Sequence, residues 1–121
     1  MIQSYRDLDV WKKSIGLVKK VYSVTQAFPK EEMYGLVAQM RRSAVSLPSN
    51  IAEGKSRQGI NEYVQFVYIA LGSIAELETQ TIISNELGFL DVKDKDLILE
   101  ELDHLARMLR NLVKGLKTSN R

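Results

Sequence analysis

Ile98-Leu99-Glu100-Glu101-Leu102-Asp103-His104-Leu105-Ala106-Arg107-Met108-Leu109-Arg110-Asn111-Leu112-Val113-Lys114-Gly115-Leu116 is the stretch that decides the fold. Within it Ile98, Leu102, Leu105, Leu109, Leu112 and Leu116 recur at spacings of 4, 3, 4, 3 and 4. A helix brings positions three and four apart onto one face, so this is one apolar stripe on a helix; a strand would alternate every second residue. The same period runs back through the chain. Tyr63, Val67, Ala70, Ile74, Leu77 and Thr81 form a second stripe, Val37, Met40, Ala44, Leu47 and Ile51 a third, and Leu8, Trp11, Ile15, Val18, Tyr22 and Thr25 a fourth. These predict helices over about 7–25, 30–56, 61–87 and 92–117.

The residues between the stripes punctuate them. Pro29 ends the first helix, and with Glu31 and Glu32 it suits a new first turn, which Gly35 weakens. Pro48 interrupts no apolar spacing, so it predicts a kink, freeing a carbonyl near Ala44 that Ser43 and Ser46 help to satisfy. Gly54 and the polar run 55–59 close helix two, Asn61 is the expected cap of helix three, and Gly88 is its expected left-handed terminator. Helices of about 20 residues are each near 30 Å long. Joined by short loops, they predict an all-α, antiparallel up-down-up-down four-helix bundle, one domain over 1–121. Helix three is also apolar off its stripe, at Val64, Phe66, Tyr68, Ile69 and Ile83, which implies a second burial partner.

Composition bounds the chemistry. The chain has 121 residues, 45% hydrophobic and 26% charged, enough for one core. It has no cysteine, hence neither disulfides nor thiolate chemistry. No run of about 18 apolar residues occurs and the start lacks a signal-like layout, so the expected location is the cytoplasm, with no membrane partner. The single histidine, His104, stands in a Glu101-x-x-His104 spacing that diiron bundles use. Such a centre needs a second copy of the motif and inward carboxylates, whereas His104 lies about 135° from the leucine stripe, so no metal is expected. No glycine-framed nucleophile and no phosphate-cradling glycine motif are present, so neither a catalytic residue nor a cofactor is expected.

Charge is segregated. Residues 1–57, 58–106 and 107–121 carry +5, −8 and +5. Lys12 and Lys19, and Lys13 and Lys20, repeat at helical spacing on helix one, and Arg107, Arg110, Lys114 and Lys117 on helix four. If first and last helices adjoin, the stripes fuse into one surface for nucleic acid, RNA or DNA; otherwise they are solvated faces. Arg41 and Arg42 read either as phosphate contacts or, with Arg42 paired to Glu53, Glu76 or Glu78, as part of a network fixing helix register or a subunit boundary. Trp11, Tyr34, Tyr63 and Tyr68 favour core or interface packing over base stacking.

Several stretches taken together resemble a known family: Asp7-Leu8-Asp9-Val10-Trp11-Lys12, Phe28-Pro29-Lys30-Glu31-Glu32, Tyr34-Gly35-Leu36, Gln39-Met40-Arg41-Arg42-Ser43-Ala44, Ser49-Asn50-Ile51-Ala52-Glu53-Gly54 and Gly72-Ser73-Ile74-Ala75-Glu76-Leu77-Glu78-Thr79-Gln80. They resemble the 23S rRNA intervening-sequence proteins, bacterial four-helix bundles. These are similar in fold to the accessory variability protein of diversity-generating retroelements, a basic ring of five bundles that associates with a reverse transcriptase and nucleic acid. The resemblance implies a homo-oligomer, a pentameric ring, and no catalytic residue. It implies that Arg41, Arg42, Asn50, Glu53 and Glu76 hold the ring together, and the off-stripe apolar face of helix three separately adds Phe66 and Ile69 to the expected subunit boundary. The expected function is a non-enzymatic assembly binding RNA through Lys12, Lys13, Lys19, Lys20, Arg107, Arg110, Lys114 and Lys117. The rivals are an adaptor ring docking a partner protein such as a polymerase, and a structural oligomer without nucleic-acid contact.

Overall fold

A computed structural model describes residues 4–119. They form four helices: α1 (Asp9–Thr25), α2 (Leu36–Lys55), α3 (Ile60–Glu86) and α4 (Val92–Ser119). Short 3-10 turns at Tyr5–Asp7 and Lys30–Glu32 precede α1 and α2, and no strand occurs among the described residues. The chain is an all-helical four-helix bundle. Each helix packs on its neighbours in sequence, and α1 also packs on α4. Gly54 meets Phe66, Ser46 meets Ser73, and Met40 meets Ser84, so α2 and α3 run in opposite directions.

The stripes of α2 and α3 form the centre of the core. Met40, Ala44, Leu47 and Ile51 face Val67, Ala70, Ile74 and Leu77, all buried, with Ile98, Leu102, Leu105 and Leu109 of α4 closing one side. Of the α4 stripe, Leu112 and Leu116 are only half-buried, and the buried line passes to Val113. On α1 the expected stripe is buried at Leu8 and Thr25, but between them the burial is rotated. Val10, Ser14, Leu17 and Val21 point inward, whereas Trp11, Ile15 and Val18 are half-buried and Tyr22 is 40% exposed. The apolar arc of α1 is wide enough for two stripes. The narrower inner one, with the small Ser14, allows closer approach; its hydroxyl donates to the Trp11 carbonyl and is thereby satisfied.

Helix ends differ from expectation where local hydrogen bonding decides them. α2 begins at Leu36 rather than near residue 30, because Gly35 leaves helical geometry at φ −106°, ψ −108° and the preceding residues form a separate turn. Gly59, not Asn61, is the N-cap of α3. Asp91 Oδ1 accepts from the Asp94 amide and starts α4. Gly88 has φ +80°, its amide bonding Asn85 O while the Phe89 amide bonds Ser84 O. That paired arrangement terminates α3 through a left-handed residue. α2 runs on through Pro48. Ser46 takes another role than serving the Ala44 carbonyl: its hydroxyl bonds Ser73 Oγ at 2.8 Å and accepts from Asn50 Nδ2 at 2.9 Å.

By length and composition α3 could cross a membrane, with mean hydropathy 1.2 over its most apolar window. In the bundle its stripe lies against α2 and α4.

Candidate functional site

The two sets of cations expected to bind nucleic acid lie at different heights. Lys20 Nζ bonds Asp94 Oδ1 at 3.2 Å, and Lys13 and Gly16 share a surface groove of about 620 Å³ with Leu97, Glu100, Glu101, His104 and Arg107. Descending α1 therefore ascends α4, and the α1 lysines lie alongside the acidic half of α4. The stripes meet only near Lys13 and Arg107. Arg107 pairs with Asp103 at 3.3 Å, and Lys117 turns towards α3, its Nζ donating to Tyr68 Oη at 3.2 Å. Lys12, Lys13, Lys19, Arg110 and Lys114 are exposed and make no ion pair among the described residues. The segregation seen along the sequence becomes segregation along the bundle. α4 carries no carboxylate after Asp103, and its last turns reach the end where α2 stops with Lys55 and α3 starts. Arg121, counted with that basic run, lies outside the described residues.

The residues expected at a subunit boundary divide into two groups. Arg41 works inside the chain: its Nε donates to Thr25 Oγ1 at 3.0 Å, one terminal nitrogen donates to the Tyr22 carbonyl at 3.4 Å, and its guanidinium stacks 4.5 Å from the Tyr22 ring centre. A cation at the last turn of α1 also complements the helix dipole. Asn50 Nδ2 donates to the Ser46 carbonyl and hydroxyl, Glu53 pairs with Arg57 at 3.2 Å, and half-buried Phe66 lies under the Arg57 guanidinium at 4.9 Å. The expected pairing of Arg42 with Glu53, Glu76 or Glu78 is not found; Glu53 is taken by Arg57, which stands one turn further on. Arg42, Ile69 and Glu76 are exposed on the outer α2–α3 face, where Val45 and Ile83 are also exposed.

Sequence reasoning passed over a polar groove on that face. Gln39, Arg42, Ser43, Ser46, Glu76 and Gln80 enclose about 370 Å³ between α2 and α3. Gln80 Oε1 is shielded from solvent and has no hydrogen-bond partner among the described residues. Its amide lies on the flank of the α3 stripe, so the apolar period alone carried no signal for it. Tyr34, read as a packing residue, is 95% exposed because it precedes α2. His104 is exposed at the rim of the α1–α4 groove, and among the described residues no three metal-ligating side chains converge.

The family model for the 23S rRNA-intervening sequence protein matches residues 6–111. The chain belongs to that family. A comparison with curated proteins finds no match. The matched span runs from the turn before α1 to the middle of α4 and so includes both the α2–α3 groove and the α1–α4 groove. Of the α4 cations, Arg107 and Arg110 fall inside the span, and Lys114 and Lys117 beyond it.

Proposed function

We propose that this chain is a non-enzymatic, self-associating bundle that binds nucleic acid, RNA foremost, through the basic end of α4. The observation that carries it is the run after Asp103, in which Arg110 and Lys114 are exposed with no carboxylate partner. Phosphate contacts of this kind are salt-dependent and carry little base specificity. Self-association on the outer α2–α3 face, as a ring of five in the pattern the family resemblance implies, multiplies a small cationic patch. Arg42, Ile69 and Glu76, with Val45 and Ile83 beside them, are exposed on that face and free to meet another copy.

The test replaces Lys13, Arg110 and Lys114 by glutamate, none of which is held by an ion pair. Retention of a structured RNA in a low-salt gel shift, with duplex DNA alongside, should then be lost. An unchanged RNA shift would remove the reading.

A second reading has its own observation. Along the α1–α4 seam carboxylates stand beside the cations, with Asp94 on Lys20, Asp103 on Arg107, and Glu100 and Glu101 in the groove with Lys13. Mixed charge around exposed Leu97 suits a partner protein, such as a polymerase, better than a phosphate backbone. Capture of protein without RNA from cells of origin favours this adaptor.

A further inference from the structure

Of the exposed tyrosine rings, one stands among cations. Tyr34 follows Glu31 and Glu32 in sequence, and the Tyr22 ring is covered by the Arg41 guanidinium at 4.5 Å. Tyr68, grouped by its spacing with the packing tyrosines, is 48% exposed on the α4 side of α3. Lys117 Nζ lies 3.2 Å from the Tyr68 hydroxyl oxygen and 5.6 Å from the ring centre, so the cation stands off the hydroxyl end and not over a ring face. No second aromatic ring packs on Tyr68 among the described residues.

The surface around this ring is basic in one direction and uncharged in the other. At about 100° per residue Arg110 and Lys117 lie about 20° apart on α4, with Lys114 within about 60° of both, and the seven residues from first to last rise about 10 Å. α3 and α4 are joined by a short loop and run in opposite directions, so stepping back from Lys117 to Arg110 matches stepping on from Tyr68 to Gly72 and Ala75. Both of these are small and exposed, and nothing lies within 4 Å of a β-carbon built at Gly72, so the floor between ring and Arg110 is low. Towards the start of α3, Asn61 and Gln65 share with Tyr68 a shallow hollow of about 440 Å³. Its one carboxylate, Glu62, lies 4.0 Å from Arg57, and Asp103 on α4 is held by Arg107.

We infer that Tyr68 is a stacking platform for an unpaired base, with Arg110, Lys114 and Lys117 meeting phosphates of the same strand, so that the basic end takes single-stranded nucleic acid and not duplex. This rests on the nucleic-acid reading above and names its substrate class. A base within a duplex has its faces covered by its neighbours and cannot lie on a protein ring, whereas an unpaired base can. Every base has a π-face, so the contact tolerates any sequence, in keeping with recognition led by phosphates. A cation row of about 10 Å matches about three nucleotides stacked at about 3.4 Å each. The Asn61 and Gln65 amides can both donate and accept, which suits the edge of a splayed base.

The test measures fluorescence anisotropy of labelled oligonucleotides with the whole chain at low salt, using single-stranded RNA, single-stranded DNA and a duplex of the same sequence. Tyr68→Ala should weaken binding of both single strands by at least about 5-fold and leave duplex binding as it was. Tyr68→Phe also loses the hydroxyl contact to Lys117 but keeps the ring, and should bind single strands as wild type does. Lys114→Ala should weaken all three ligands and lower the salt dependence, which Tyr68→Ala should not. Half-exposed Tyr68 is not part of the core, so its variants should keep the wild-type helical signal. Wild-type affinity for single strands in Tyr68→Ala, or an equal loss in Tyr68→Phe, overturns the stacking inference while leaving the basic end as a phosphate site. A wild-type chain that retains none of the three ligands overturns the nucleic-acid reading itself. A readout independent of affinity is crosslinking of a 4-thiouridine-bearing RNA strand, which should map to Tyr68 by mass spectrometry; crosslinks confined to other faces would refute the placement.

Discussion

Replacing Gly54 by alanine tests how closely α2 and α3 approach. A β-carbon built at Gly54 lies 2.9 Å from Phe66 Cβ, 3.1 Å from Tyr63 Cδ1 and 3.2 Å from the Tyr63 carbonyl oxygen. Ordinary carbon contacts lie near 3.5–4.0 Å. Two of the three obstacles belong to the backbone or its first side-chain atom, so no flexible tip can swing aside; α3 itself must shift. Overpacking of this kind costs about 1–3 kcal/mol, and rigid obstacles place it in the upper half of that range. Against it stands the helical preference of alanine over glycine, about 1 kcal/mol. The net expectation is a loss of about 1–2 kcal/mol, or roughly 4–8 °C in melting temperature for a domain of this size. Gly16 is the internal control. It is also helical, nothing lies within 4 Å of its built β-carbon, and Gly16→Ala should gain up to about 1 kcal/mol. Urea unfolding followed by far-ultraviolet circular dichroism, repeated at several protein concentrations because self-association shifts apparent stability, measures both. If Gly54→Ala matches or exceeds wild type while Gly16→Ala gains as expected, the close helix crossing is wrong.

Arg41→Ala removes two hydrogen bonds and a ring stack between α1 and α2, and should cost about 1–3 kcal/mol in the same urea assay; Arg42→Ala, exposed and unpaired, should cost far less. Burial raises the Tyr63 phenol above its ordinary value by desolvation, so the folded chain holds that proton longer than the unfolded one. Stability from this group is therefore full below about pH 10 and declines as pH rises past that value. Tyr63→Phe should flatten this alkaline decline, read as melting temperature against pH from 8 to about 11.

What was legible in advance was whatever periodicity encodes. The α2 and α3 stripes are buried at the expected residues because those helices pack on both sides, leaving one orientation that hides Met40, Leu47, Val67 and Leu77 together. On α1 the expected line is buried at its ends, Leu8 and Thr25, and only half-buried between them at Trp11, Ile15 and Val18, since hydropathy prefers Trp11 and Ile15 to Ser14, whereas the structure buries Ser14 fully. The fused basic stripe failed for a different reason. Angular position on a helix is readable from spacing, but height along the bundle depends on which way each helix runs, and opposite directions set Lys20 beside Asp94 rather than beside Arg110. The groove at Gln80 was illegible because it combines residues of two helices around an amide that no period marks.

Charge along the bundle and self-association bear on each other through symmetry. In a closed ring made by repeating one contact, every copy bears the same relation to the ring axis. The end carrying Lys55, Arg110 and Lys114 then recurs in the same place on each copy, so basic ends occupy one rim and acidic ends, with Glu31, Glu32 and Glu86, the other. A lone bundle offers too few unpaired cations for strong phosphate binding, because each phosphate neutralised contributes less than one counterion released. Repetition around a rim multiplies that number without any new residue. Loss of self-association should therefore weaken RNA retention even where every basic residue is kept. If RNA binding instead persisted unchanged in a monomeric variant of the outer α2–α3 face, the basic end would be sufficient alone and assembly would serve some other purpose.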